Sequence, residues 1–274
     1  MAEALCVSWV TGQVMNADHS KIAESPHGWI PAALSVDLPE AGVLRAVIDG
    51  TQPLDLVVWR SRSGQVSAFD NRCPHRGMRL SFGFVRGERL SCIYHGWQYG
   101  EDGACRHIPA HPDMTPPTSI CANTYACRDH GGVVWVSQGP GNSDHSGDLP
   151  DFGGQGLRSL SVERGEAVLR KMLADTHLPV SLTGGMQMAE ASIVTRNQTS
   201  LVLEAGSDAG NLRLMVHFQK ITPDRTMLHI QTSPELPAEM RISLSRWAER
   251  FRWSAENIGT MMNSWDATAQ ETHP

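Results

Sequence analysis

Several things are missing from this sequence, and each absence excludes a class of function. No basic block stands out, and 23 Lys and Arg face 29 Asp and Glu for a net charge of −6. Phosphate backbones are bound by clustered positive charge, so nucleic acid is not an expected partner. Long apolar runs are missing too. Leu54 to Trp59 and Val133 to Val136 fall far short of the ~20 residues that span a bilayer, so no membrane role is expected. The opening MAEALCVSW has no basic stretch ahead of an apolar one, and no secretory signal is read there. Cysteine is sparse, with six in 274 residues, too few for a disulfide scaffold. A cytoplasmic setting with reduced thiols follows.

What is present suits an ordinary folded chain. Hydrophobic residues make up 41% and charged residues 19%. The length allows two domains of roughly 150 residues each. The expected fold class is α+β, an all-β N-terminal domain followed by an antiparallel sheet with a long C-terminal helix. Residues 1–27 read as an N-terminal arm. Residues 28–137 carry short strands and turns, among them Leu54–Trp59 and Gln65–Phe69 around Ser63-Gly64, and Val133–Val136. Residues 138–150 hold no apolar residue before Leu149 other than Pro140, and read as a linker. In 151–274, Ser192–Glu204, Asn211–Ile221 and Arg225–Ser233 are candidate strands, and Leu212, Leu214, Val216 and Phe218 alternate strictly along the second. After Pro237, residues Leu244, Trp247, Phe251, Ala255, Ile258, Met262 and Trp265 recur every three or four positions, the stripe of an amphipathic helix.

Chemistry concentrates at 73–97. Cys73-Pro74-His75 and Cys92-Ile93-Tyr94-His95 are mixed pairs, one thiolate and one imidazole each, with sixteen residues between them. Two thiolates and two neutral imidazoles match a [2Fe–2S] cluster with sulfur on one iron and nitrogen on the other. Zinc is the alternative, but zinc modules more often pair like with like. Gly77 and Gly96 relieve crowding where backbone N–H groups approach cluster sulfurs. Cys6, Cys105, Cys121 and Cys127 read as small buried residues or free thiols.

With CPHRG at 73–77, CIYHGWQY at 92–99 and the Gly-x-Cys-x-x-Ile-Pro run to Pro109 in view, the sequence resembles the Rieske domain of ring-hydroxylating and demethylating oxygenases. That resemblance implies Cys73, His75, Cys92 and His95 as ligands, with Arg76, Gly77, Tyr94, Gly96 and Trp97 around the cluster. Respiratory Rieske proteins resemble it in ligands but add an inter-loop disulfide and a serine after the second pair. Met78, Tyr94 and Trp97 stand at those positions here, so one fewer donor and a lower potential are expected.

The same resemblance implies a second centre, a mononuclear iron held by two histidines and a carboxylate, with an aspartate linking it to the cluster of a neighbouring subunit. Asp175 and His177 look like the linking acid and the first ligand. Leu182 stands where the second histidine should fall, and Asn257 stands near the carboxylate position, with Glu256 and Asp266 close by. His217 and His229 lie on neighbouring strands. A loop of two or four residues sets them on opposite faces, and an odd loop sets them face to face. The reading is a Rieske [2Fe–2S] subunit of a multicomponent oxygenase, fed by a reductase or ferredoxin and passing electrons to a catalytic partner in a trimer-based assembly. The alternative is a complete mono- or dioxygenase with diverged iron ligands.

Overall fold

The apolar run Leu54–Trp59 does not alternate because both of its faces are buried. Leu56 and Val58 enter one core with Ala32, Leu38, Ile48, Val134 and Val136. Val57 and Trp59 enter another with Phe69, Leu80, Leu90 and Tyr99. A strand covered on both sides reads as a continuous hydrophobic stretch. The computed structural model describes residues 28–49, 53–140 and 149–270, with side chains at all of these but 138–140 and 258–270. The described chain divides after Asp151 into two units.

In the first unit, β1 (Trp29–Leu34), β2 (Val43–Ile48), β3 (Leu54–Arg60), β4 (Val66–Asp70) and a later antiparallel pair form one sheet. Four short strands come between, namely β5 (Phe84–Arg86), β6 (Arg89–Ser91), β7 (Gln98–Tyr99) and β8 (Cys105–His107). They form a second antiparallel sheet. The later pair is β9 (Thr124–His130) and β10 (Val133–Pro140), and the first sheet runs β1-β10-β9-β4-β3-β2. The two cysteine–histidine segments leave the ends of β4 and β6, so both are anchored on packed strands. β10 continues to Pro140, which pairs with Tyr125, three residues into the stretch read as a linker. Composition alone missed this because a proline at the end of a strand loses no ladder bond that matters.

The second unit holds β11 (Gln155–Val162), α1 (Glu166–Ala174), β12 (His177–Leu182), β13 (Gly185–Glu190), β14 (Ser192–Arg196), β15 (Ser200–Ser207), β16 (Gly210–Thr222), β17 (Arg225–Thr232) and α2 (Ala238–Gln270). Five strands form the sheet β11-β17-β16-β15-β14, and β12 pairs with β13 alone. The candidate strand Ser192–Glu204 is two strands, turned at 197–199 where the Asn197 side chain accepts from the N–H groups of Thr199 and Ser200. Leu212, Leu214, Val216 and Phe218 of β16 meet Leu169 and Leu173 of α1 and Leu244, Trp247 and Phe251 of α2 in one apolar core. The α+β expectation and the long C-terminal helix hold.

Candidate metal centre

The two cysteine–histidine loops have the same backbone design. Cys73 N–H donates to Met78 O at 2.8 Å, and Cys92 N–H donates to Trp97 O at 2.9 Å. Gly77 N–H donates to Cys73 O at 2.8 Å, and Gly96 N–H to Cys92 O at 2.9 Å. Each loop therefore closes at the fourth and fifth residue after its cysteine. That closure needs left-handed backbone, and Gly77 and Gly96 supply it at φ of 73° and 70°. The N–H groups of Gly77 and Gly96 are committed to the cysteine carbonyls and do not reach the sulfurs. The backbone N–H groups that reach a sulfur are those of Tyr94 and His95, at Cys92.

The loops sort their donors by depth. Cys73 is 3% exposed and Cys92 is 1% exposed, and both belong to the core between the two sheets of this unit. His95 is exposed and His75 half-buried, with ring centroids 4.6 Å apart. Two thiols thus sit together below two imidazoles that reach the surface. Burial raises the Cys92 thiol pKa, and the neighbouring Cys73 adds to the effect. Burial first, then the fields of His95 and Arg76, lower the pKa of His75, which keeps its ring neutral as a ligand must be. Among the described residues, no three His, Cys, Asp or Glu side chains converge on one ion position. Two buried thiols with two imidazoles nearer the surface are the donor set of a [2Fe–2S] cluster with sulfur on one iron and nitrogen on the other.

The flanking residues have distinct tasks. Trp97 stacks on His75 at 4.0 Å between centroids and 4° between planes. Tyr94 packs against His95 at 3.9 Å. Arg76 is exposed beside the first loop. Tyr99 was not singled out from sequence, yet its hydroxyl lies 3.1 Å from Cys73 Sγ. Burial pushes the Tyr99 phenol well above its ordinary pKa, so it stays a proton donor. A hydroxyl donor therefore reaches a ligand sulfur from β7, two residues beyond Trp97, while position 97 itself carries no hydroxyl. Its signal in the sequence was a tyrosine at a buried strand position, which burial rarely tolerates without a partner. Of the remaining cysteines, Cys105 and Cys127 are free thiols and Cys121 is disulfide-bonded, while Cys6 lies outside the described residues.

The second expected centre does not assemble. Asp175 is the exposed C-cap of α1, and His177 is the exposed first residue of β12. Positions 177 and 182 lie five apart on a strand, so their side chains leave opposite faces. Glu256 accepts from Glu163 N–H at 3.1 Å and pairs with Arg252 at 2.7 Å. Asn257 donates to Trp253 O at 2.8 Å. The side chain of Asp266 lies outside the description. The residues at hand do not fit a mononuclear iron.

His217 and His229 stand directly opposite one another. The turn has the two residues Pro223 and Asp224, but the register shifts between Lys220 and Thr222, and the extra residue brings the rings face to face. They form a row across four strands, Ser159, His229, His217 and Ser200. Ser200 Oγ lies 2.7 Å from His217 Nδ1 and Ser159 Oγ 2.9 Å from His229 Nδ1. Each Nε2 donates to a glutamine Oε1, Gln231 at 2.8 Å and Gln219 at 2.9 Å. Both rings are saturated by protein partners, so this row is not a ligand pair.

A doubled cysteine–histidine loop on a small two-sheet β unit defines a Rieske-type iron–sulfur protein. Residues 28–126 match the Rieske [2Fe-2S] domain family. The chain is 29% identical over 241 residues to the oxidoreductase NdmD of Pseudomonas putida, covering 85% of this chain and 40% of that protein. It is 36% identical over 115 residues to the methylxanthine N1-demethylase NdmA of the same organism, covering 40% of this chain and 32% of that one. The fold superposes on the crystal structure of dicamba monooxygenase with a TM-score of 0.66 at 19% identity, over 92% of each chain. The chain spans two fifths or less of the length of the curated relatives cited. Residues 28–126 thus belong to the Rieske [2Fe-2S] domain family, and the curated relatives that the chain resembles are named as an oxidoreductase and as oxygenase components. Among the described residues no helix is long and apolar enough to cross a membrane.

Proposed function

We propose that this chain is the electron-relaying component of a multicomponent Rieske oxygenase, taking electrons from a reductase or ferredoxin and delivering them to a mononuclear iron on a partner catalytic subunit. The observation that carries this reading is the contrast between the two units. The first offers a full donor set. The second offers an exposed histidine on a strand, with Leu182 on the other face. The identity to the oxidoreductase NdmD covers 85% of this chain, more than the first unit alone can hold. The relatives named as oxygenase or demethylase components match over 40% to 46% of it. That difference supports a second unit adapted to something other than oxygen chemistry.

In this reading Cys73, Cys92, His75 and His95 would hold a [2Fe–2S] cluster, the thiols from the buried side and the imidazoles from the surface. A bound [2Fe–2S] cluster supplies reversible one-electron chemistry. Tyr99 donates to the Cys73 thiolate and offsets its charge. Trp97 and Tyr94 fix the planes of the two imidazoles by stacking. The exposed edge of His95 is where a redox partner comes close. Asp175 and His177 are surface residues without an iron to serve. A trimer-based ring and a cytoplasmic setting belong to the same proposal.

The test is turnover by reconstitution. The purified chain with a reductase alone forms no oxygenated product, and adding a catalytic subunit starts turnover. Product from the chain and reductase alone favours the second reading, a complete oxygenase in which His177, a further histidine and Glu256 or Asp266 serve. The likeness of fold to dicamba monooxygenase along both units is the observation on that side.

A further inference from the structure

We infer that the outer face of α2 is a self-complementary seam that joins two copies of this chain antiparallel about a two-fold axis. The inference concerns the second unit alone and does not depend on the electron-relay reading.

The inner face of α2 is spent on the core, through Met240, Leu244, Trp247, Ala248, Phe251 and Ala255. The outer face is unusual for a solvated helix. Ile242 is 51% exposed and Trp253 is 53% exposed. Arg246 and Arg250 between them are exposed and make no ion pair or hydrogen bond among the described residues. Beside Ile242 a shallow, open depression lies between α2 and β11, lined by Arg158, Ile242, Ser245, Arg246, Glu249 and Arg250. One face thus carries a projecting indole and, about two turns before it, a hollow.

Positions 242, 246, 249 and 253 step by four, three and four, the spacing of a seam between two helices. A two-fold axis between Trp247 and Ala248 reverses that order onto itself. Ile242 of one copy then meets Trp253 of the other, and Arg246 meets Glu249. Arg250 meets Ser245. Apolar side chains pair at both ends and opposite charges pair at the centre. A parallel arrangement sets Arg246 on Arg246 and Glu249 on Glu249, so charge selects the antiparallel one. Glu249 is already oriented for this by Arg158 at 2.6 Å and Arg252 at 3.0 Å, with its side chain 38% exposed. The two-fold places each projecting Trp253 at the other copy's depression, which is the self-complementarity that an isologous interface requires. Trp and Arg are also the side chains that most often dominate interface energetics. A single helix face is smaller than the ~800 Å² per partner of a standard interface, so the seam belongs with the small, reversible interfaces.

The test is sedimentation velocity of the full chain across micromolar concentrations. The wild type is expected to double its mass with concentration, or to double the mass of any larger assembly it forms. Trp253→Glu and Arg246→Glu each halve that mass at least tenfold beyond the wild-type midpoint, with unchanged circular dichroism. Glu249→Arg does the same. An equimolar mixture of Arg246→Glu and Glu249→Arg regains the doubled mass, because each copy supplies the charge the other needs. Should Glu249→Arg fail to fold, having lost Arg158 and Arg252, Ile242→Lys and Trp253→Glu carry the test, since both sites are exposed. A wild type that never doubles, a doubled mass that survives Trp253→Glu, or a folded mixture that stays dissociated overturns the seam. Dissociated wild type that binds a helix from a different protein on this face overturns it as well.

Discussion

Tyr99 shows how one side chain outside a motif adjusts the chemistry inside it. Its hydroxyl is 3.1 Å from Cys73 Sγ, and hydrogen bonds to cluster sulfurs stabilise the reduced, more negative state. Tyr99→Phe keeps the aromatic packing and removes that donor. The midpoint potential is expected to fall while the visible and electron paramagnetic resonance spectra of a Rieske cluster persist, which protein-film voltammetry reads directly. An unchanged potential contradicts the role. Gly96 gives a second residue-scale test. Its φ is +70°, and a Cβ there lies 2.9 Å from Pro109 Cγ. Gly96→Ala is expected to cost more than the ~1–2 kcal/mol of a left-handed non-glycine residue, because of the added clash. Gly87→Ala, at φ +58° with open space around it, carries the backbone penalty alone and serves as the reference in urea denaturation. At this scale the ligands were legible in the sequence because each pair spans only three or four residues and needs no tertiary knowledge. Tyr99 was not, because only the pairing of β7 with β8 and the depth of Cys73 reveal what its hydroxyl faces.

Elements were legible where one face alone is buried. The stripe of α2 and the alternation of β16 showed in the sequence. α1, β12 and β13 did not, since Glu166–Ala174 is only 9 residues long and Gly185–Glu190 is almost wholly exposed. The register of β16 on β17 was beyond reach because one bulge, invisible in composition, decides the face of every residue past it. The row that bulge creates makes a pH prediction. Burial lowers the pKa of His217 to about 4 and of His229 to about 3, against ~6.5 when unfolded. As pH falls below ~6.5 the unfolded chain takes up protons that the folded chain refuses. Stability is therefore full above that value and declines toward acid until the folded values are reached, by up to ~1.4 kcal/mol per pH unit for each ring. The urea midpoint is expected to drop between neutral pH and pH ~4, and His229→Gln to flatten that drop. An equal slope in the variant contradicts the assignment. Leu244→Ala, at the centre of the α2 core face and 0% exposed, is expected to cost about 2–5 kcal/mol.

For the whole molecule, the two units tell different stories. The first brings two buried thiols and two surface imidazoles together on twin loops closed by Gly77 and Gly96. The second keeps the layout of sheet and long helix, but β12 occupies the place where the sequence motif expects ligands, and a strand cannot present residues 177 and 182 to one ion. The incomplete triad was legible at Leu182 and Asn257, and the unsuited backbone was not. The most direct test is iron and acid-labile sulfide per chain on anaerobically purified protein. Two irons and two sulfides are expected, with no further iron lost to a mild chelator. A third iron that a chelator removes while the sulfide stays contradicts the reading of the second unit, and zinc without sulfide contradicts the reading of the first.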